Sequence, residues 1–72
     1  MNEKLIQIIA QTLELDPEEI TPETGSDNCE KWDSLAQVVM ISRVADELGV
    51  DIPFDKMMEI RCAGDLQSAI EG

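Results

Sequence analysis

Apolar residues recur every three or four positions along two stretches of this chain, which is the spacing of one face of an α-helix. The apolar positions of the first stretch are Leu5, Ile6, Ile8, Ile9 and Leu13. We expect this helix to end near Leu15, because Pro17 cannot continue it. No stretch alternates apolar and polar residues as a half-buried strand would. The chain is therefore predicted to be all-α.

The second stretch, residues 34 to 48, has the strongest helical pattern of the sequence. Gly49 follows it, at the position where a helix commonly ends in a left-handed conformation. The predicted apolar stripe comprises Leu35, Val38, Val39, Ile41, Ala45 and Leu48, and it is widened by Met40 and Val44. Leu35 is therefore expected to lie in the core rather than on the surface.

Three shorter helical elements are predicted around these two helices. The segment Asp16-Pro17-Glu18-Glu19 offers a cap residue, a Pro at the first position and acids in the first turn, so it predicts about one helical turn. Asp55 is expected to cap a short helix that runs through Ile60. A last helix is expected from about Gly64 to Glu71.

Residues 21 to 31 are almost entirely polar and predict a long loop between the first and second major helices. We interpret Cys29 as a small apolar side chain that holds this loop against the core. A reactive thiol is the alternative, but Lys31 is the only nearby positive charge that would activate it. Together these elements predict one domain over residues 1–72, an all-α small four-helix bundle with a short third helix.

The composition argues against several classes of function. Sixteen Asp and Glu against five Lys and Arg give a formal net charge of -11, which opposes binding to nucleic acid. The chain has no His, which excludes a His-based catalytic triad, and its two Cys do not complete a zinc site. No metal site is expected. The sequence shows no leader and no long apolar span, so we expect a cytoplasmic protein with free thiols.

The segment Trp32-Asp33-Ser34-Leu35 opens the second major helix. Ser34 and Gln37 have the spacing of a capping box, so local chemistry alone predicts that Ser34 caps the helix. Asp33 is a second candidate for the cap. Trp32 is expected to pack the loop against the bundle, and a contact with a partner protein is the alternative.

The order of these motifs along essentially the whole chain resembles the acyl carrier protein family. The resemblance rests on Ser26-x-x-Cys29-x-x-Trp32-Asp33-Ser34-Leu35, then Ile52-Pro53-Phe54, then Ile60-x-x-x-Gly64-Asp65-Leu66-x-x-x-Ile70. Asp-Ser-Leu alone has little specificity, whereas the joined pattern is specific. The Trp before Asp-Ser-Leu looks like a subgroup of stand-alone carriers.

In that family the Ser of Asp-Ser-Leu carries a 4'-phosphopantetheine arm through a phosphodiester, and the resemblance implies that Ser34 is this residue. Asp33 and Leu35 are then the predicted neighbours at the cofactor site. The thiol of the arm holds an acyl group as a thioester, which implies a carrier rather than an enzyme. A separate holo-carrier synthase, or phosphopantetheinyl transferase, attaches the arm, in agreement with the absence of a His that would activate Ser34.

The resemblance also implies partner enzymes that load and process the acyl group and present basic patches to the loop and the second helix. The predicted partner contacts are Glu30, Trp32, Ala36, Val39, Met40, Arg43, Asp46 and Glu47. Asp33 and Asp51 add negative charge in or near this region. Ala36 and Val39 stand where the family often has acids, and Arg43 adds a positive charge, so we expect partners other than the usual fatty-acid enzymes. The carrier is expected to be a monomer.

The family buries acyl chains among its helices. The residues expected to line such a space are Val38, Ile41, Met57, Ile60 and Ala63. Cys62 replaces the Thr that commonly caps the last helix, so we expect the start of this helix to fray at a cost of about 1 kcal/mol. The sequence does not specify the cargo or the pathway. Two other functions stay open: an aminoacyl or peptidyl carrier with the same arm, and a small acidic interaction module without a prosthetic group.

Overall fold

The computed structural model describes residues 1–71, and its first helix, α1 (Glu3–Leu13), forms the centre of the core. Asn2 caps this helix, because its Oδ1 accepts a hydrogen bond from the backbone N–H of Leu5 at 3.1 Å. The predicted apolar face is confirmed, since four of its side chains are almost completely buried: Leu5, Ile8, Ile9 and Leu13. Burial of such side chains is the main source of stability in a domain of this size.

The end of α1 lies at Leu13 rather than near Leu15. Glu14 adopts a left-handed conformation with a φ of 59°, and the N–H of Leu15 donates to the carbonyl of Ala10 at 2.9 Å. This pattern is a Schellman motif, which here forms without a glycine. The chain then makes the predicted single turn, a 3-10 helix over Pro17–Glu19, in which Asp16 N donates to Glu19 Oε2 at 2.9 Å.

The second helix, α2 (Ser34–Leu48), has the predicted bounds and ends at Gly49, whose φ is 66°. Its buried residues are Met40, Ile41 and Val44. The predicted stripe is wrong at Leu35, Val38 and Val39, which are exposed. Ala45 and Leu48 are half-buried, and Leu48 packs against the core as predicted. Successive residues of a helix are turned by about 100°, which places Leu35 and Val39 on the side of α2 opposite Val44. The face that packs against α1 is the one that is buried.

The third helix, α3 (Phe54–Glu59), is short, and none of its own residues is buried. Pro53 occupies the cap position and Asp55 lies inside the first turn, so the prediction that Asp55 caps this helix is wrong. Pro53 has the extended backbone, with a φ of -60° and a ψ of 153°, that a cap residue adopts before a helix. The chain is fixed on both sides of α3 by the buried side chains of Ile52 and Ile60.

The fourth helix, α4 (Ala63–Glu71), begins one residue before the predicted Gly64. The first turn of this helix has partners other than a cap from Cys62. The N–H of Ala63 donates to Thr24 O and that of Gly64 to Pro22 O, both at 2.8 Å, so the loop satisfies the first turn.

The loop and the start of α4 approach each other closely. Gly25 and Cys62 form an isolated antiparallel bridge, and Ser26 N donates to Arg61 O at 2.9 Å. A Cβ at Gly25 would collide with the carbonyl oxygen of Arg61. The long polar loop is therefore tied to the bundle by backbone groups as well as by the side chain of Cys29.

The fold-class prediction of a small all-helical bundle is confirmed. α1 lies against both α2 and α4, and one cluster of buried side chains joins the helices. Besides the residues of α1 and α2 already named, this cluster contains Ala10, Ile20, Trp32, Ile52, Ile60, Ala63 and Leu66. None of the helices in residues 1–71 has the length and apolar content needed to cross a membrane.

Candidate functional site

Ser34 is the first residue of α2, and it is exposed. The cap of the helix is Asp33, whose Oδ1 accepts a hydrogen bond from the N–H of Ala36 at 2.8 Å. The predicted capping box of Ser34 and Gln37 is therefore wrong, because Asp33 takes its place. This arrangement leaves the Ser34 hydroxyl outside the capping interaction and open to solvent.

Gln37 makes two contacts that the sequence did not predict. Its Oε1 accepts a hydrogen bond from the indole Nε1–H of Trp32 at 2.9 Å. Its Nε2 donates to the backbone carbonyl of Met57, also at 2.9 Å. One half-buried side chain thus joins the loop before Ser34, the first turns of α2 and the end of α3.

Trp32 packs into the core with 3% of its surface exposed. The prediction that it closes the loop against the bundle is confirmed. A direct contact with a partner is not available to a side chain this deeply buried. Met40 was also predicted as a partner contact, and that prediction needs the same correction, since Met40 is 0% exposed and faces α1.

A groove of about 600 Å³ opens between α2 and α3 beside Ser34. Its lining includes three of the residues predicted to surround an acyl chain, Val38, Met57 and Ile60. The other two predictions are wrong, because Ile41 and Ala63 are packed inside the core and do not reach this groove.

Four further residues line the groove that sequence reasoning did not place there, namely Ser26, Gln37, Phe54 and Met58. Phe54 and Met58 are 72% and 68% exposed. The sequence could have predicted this exposure, because a short helix with large apolar residues on more than one side cannot bury all of them. Another open groove, between α3 and α4, does not include Ser34.

Exposed apolar side chains concentrate on both sides of Asp33 and Ser34. We call Leu35, Val38, Val39, Phe54 and Met58 the apolar patch. Apart from Met1, these are all of the large apolar side chains that are exposed in residues 1–71. Leu35, which was expected in the core, is the most exposed of them at 74%. Clustered exposed apolar side chains on an acidic protein are typical of a binding site.

The charged residues around the patch have both signs. Leu35 and Val39 border a shallow hollow together with Lys31, Asp33 and Arg43. Arg43 Nε lies 2.9 Å from Glu47 Oε2. Predominantly acidic side chains lie farther along α2 and beyond it.

The remaining predicted partner residues are accessible to different degrees. Glu30 and Asp46 are exposed, and so is Asp51 near the end of α2. Ala36 is half-buried against the core. Lys4 Nζ approaches Glu47 Oε1 at 4.0 Å, so Glu47 has two cationic neighbours. Pairs between such exposed groups contribute little stability.

Both cysteines are free and half-buried. Cys29 packs against the core cluster, as predicted for a residue that holds the loop in place. The N–H of Cys29 donates to Gly25 O at 2.9 Å, which closes a turn of the loop.

The surroundings of Ser34 fit a phosphopantetheine arm. The hydroxyl is short and exposed, and it lies at the N-terminus of a 15-residue helix. The partial positive charge of a helix N-terminus favours a phosphodiester anion there. The adjoining groove has an apolar wall, along which an extended chain has room to lie.

The chain is similar to known proteins over most of its length. Residues 3–70 match the family model described as "Phosphopantetheine attachment site". The chain is 35% identical over 68 residues to an acyl carrier protein of Lactobacillus acidophilus, covering 94% of this chain and 85% of that protein. It is 33% identical over 64 residues to an acyl carrier protein of Thermosynechococcus vestitus, covering 89% and 79%.

Members of this family are carriers and not enzymes, and their prosthetic group is 4'-phosphopantetheine. The match spans nearly all of the described helices, α1 to α4. The chain therefore belongs to the acyl carrier protein family.

Proposed function

We propose that the chain carries acyl groups as thioesters on a 4'-phosphopantetheine arm attached to Ser34. The observation that carries this proposal is the position of the Ser34 hydroxyl, which is exposed, free of the capping role and adjacent to the groove between α2 and α3. The terminal thiol of the arm supplies the nucleophile that forms the thioester.

The residues around Ser34 fix the position and direction of the arm. Asp33 fixes the first turn of α2 through its bond to Ala36 N, so the attachment point has a defined direction. The buried face of α2 holds the helix against α1. The chain has no His to take the proton from Ser34, so the modifying enzyme supplies the base.

Partner enzymes would dock around Ser34. The partners of this proposal are a holo-carrier synthase and the enzymes that load and process the acyl group. The apolar patch supplies the contact area, with the half-buried Ala36 beside it. Glu30, Arg43, Asp46 and Glu47 supply the polar rim. The acidic side chains of the rim steer basic partners, which affects association rates more than affinity. The carrier works as a cytoplasmic monomer in this proposal.

The attachment is tested by intact mass. The purified chain is incubated with coenzyme A, Mg²⁺ and a broad-specificity phosphopantetheinyl transferase. Wild type should gain the mass of one phosphopantetheine, and Ser34→Ala should gain none. Ser26→Ala is the matched control, because Ser26 lines the same groove, and it should be modified like wild type. Modification of Ser34→Ala would contradict the proposal.

An aminoacyl or peptidyl cargo is the second candidate. It is favoured by the exposed apolar face of α2, where Val39 and Ala36 stand in place of acids. Both cargoes use the same arm. Offering the modified carrier to acyl-activating and to amino-acid-activating loading enzymes, and weighing the products, separates them. The interaction module without an arm is contradicted by any specific modification of Ser34.

A further inference from the structure

We propose that Gln37 is a positioning residue that holds α3 at a fixed distance from α2 and couples the position of α3 to Trp32. Its carboxamide accepts from Trp32 Nε1 and donates to Met57 O, each at 2.9 Å. The two bonds use opposite ends of one planar group. A movement of the carboxamide that follows one partner therefore weakens the bond to the other.

Apart from the half-buried Met57, which packs against the core cluster, α3 has little else to hold it. It has six residues, none of them buried, and isolated helices of that length are unstable in water. Met57 O is one of the last carbonyls of α3, which lack an ordinary partner inside the helix. It receives the N–H of Ile60 at a long 3.3 Å and the stronger bond from Gln37 at 2.9 Å. Gln37 thus caps α3 from a neighbouring helix.

The hydrogen bond between Trp32 and Gln37 is also needed for stability. The Trp32 indole is buried, and a buried N–H without a partner is unfavourable. Gln37 Oε1 is the partner of this N–H. Glu at this position would keep the acceptor and lose the donor, whereas Met would lose both at similar size. The two substitutions therefore separate the two bonds.

The coupling has a consequence at Ser34. One wall of the groove is formed by Trp32, Ser34 and Val38 with Gln37 itself, and the other wall is formed by residues of α3. Gln37 therefore sets the width of the groove beside the attachment point. This consequence for the arm rests on the proposed function, whereas the coupling of α3 to Trp32 does not.

The test compares Gln37→Glu and Gln37→Met in the unmodified chain by hydrogen exchange and tryptophan fluorescence. Trp32 is the only Trp and the chain has no Tyr, so the emission reports this indole alone. We expect amides 57–60 to exchange about five- to tenfold faster in both variants, relative to the amides of α1. Trp32 emission should stay close to wild type in Gln37→Glu and shift in Gln37→Met.

Gln67→Met is the matched control. Gln67 is also half-buried, and it links Asn2 N to Glu71 at the other end of the molecule. This variant should leave both the exchange of α3 and the Trp32 emission as in wild type.

Unchanged exchange at residues 57–60 in the Gln37 variants would overturn the inference. A uniform increase over all helices would overturn it as well, since it would reflect general destabilisation. An equal shift of the Trp32 emission in both variants would refute the claim that Gln37→Glu keeps the bond to Trp32 while Gln37→Met loses it. The test uses the chain without the phosphopantetheine arm. Failure of Ser34 to be modified would therefore contradict the proposed function but not this coupling.

Discussion

α1 and α3 are held in place by different forces. α1 buries a complete face against two other helices, and Leu5, Ile8, Ile9 and Leu13 are all inaccessible. α3 fully buries none of its own residues. It depends on the half-buried Met57, on the flanking Ile52 and Ile60, and on one bond from Gln37. The comparison shows that the stability of this domain comes from one side of the bundle. The other side, beside Ser34, keeps its apolar residues free for contact.

Truncation in α1 should have the largest effect. We expect Ile9→Ala to lower the free energy of unfolding by about 2–5 kcal/mol, because it leaves a cavity in a packed core. In a domain this small that loss can approach the total stability. Met58→Ala in α3 is the matched variant and should change the stability by about 0.5 kcal/mol or less. Urea titrations measure both, and equal losses would refute the contrast.

Gly25→Ala tests the loop that ties α4 to the core. The new Cβ would collide with the Arg61 carbonyl and with Cys62, which must separate from the loop. We expect a loss of about 1–3 kcal/mol in thermal unfolding. Gly64→Ala should be milder, because a Cβ there has 3.1 Å to Pro22 O. A Gly25→Ala variant as stable as wild type would mean that loop and α4 are less tightly joined than described.

The two aspartates near helix starts should behave differently. Asp33→Ala removes the cap of α2 and should reduce stability by about 1 kcal/mol. Asp55→Ala should have nearly no effect, since Asp55 does not cap α3. Circular dichroism melts of both variants measure this difference. The reverse order would support the original prediction that Asp55 is a cap.

Ionic strength should have the smallest effect. The net charge of -11 repels itself in the folded state, and salt screens that repulsion. We expect added NaCl to raise Tm slightly, with a gain of about 1 kcal/mol or less at moderate concentrations. Ion pairs such as Lys4–Glu47 are exposed and should not reverse the sign. A Tm that falls as salt rises would contradict this expectation.

Local signals predicted the helix bounds well. The bounds of α2 follow from apolar spacing and Gly49, and the turn at Pro17–Glu19 follows from its cap and proline. The orientation of α2 could not be predicted from these signals. The helix has apolar residues on several of its faces, and the sequence does not show which face α1 covers. Leu35 was therefore wrongly assigned to the core, and Met40, although correctly placed in the apolar stripe, was wrongly assigned to the partner surface as well.

The role of Gln37 was also beyond local reasoning. Its spacing from Ser34 satisfies the rule for a capping box, but the structure joins it to Met57, twenty positions away. Contacts between distant residues depend on the packing of α2 against α3, which no short motif describes. The same holds for the start of α4, where carbonyls of Pro22 and Thr24 replace a cap.

The central claim is that Ser34 is the attachment point of the arm, and peptide mapping tests it most directly. After incubation with coenzyme A and a transferase, the folded wild type is digested with trypsin, which cuts after Lys31 and Arg43. The account predicts the arm on the fragment of residues 32–43, at Ser34 rather than Ser42. An arm on the fragment of residues 5–31, which contains Ser26, or no arm on a properly folded chain, would contradict it.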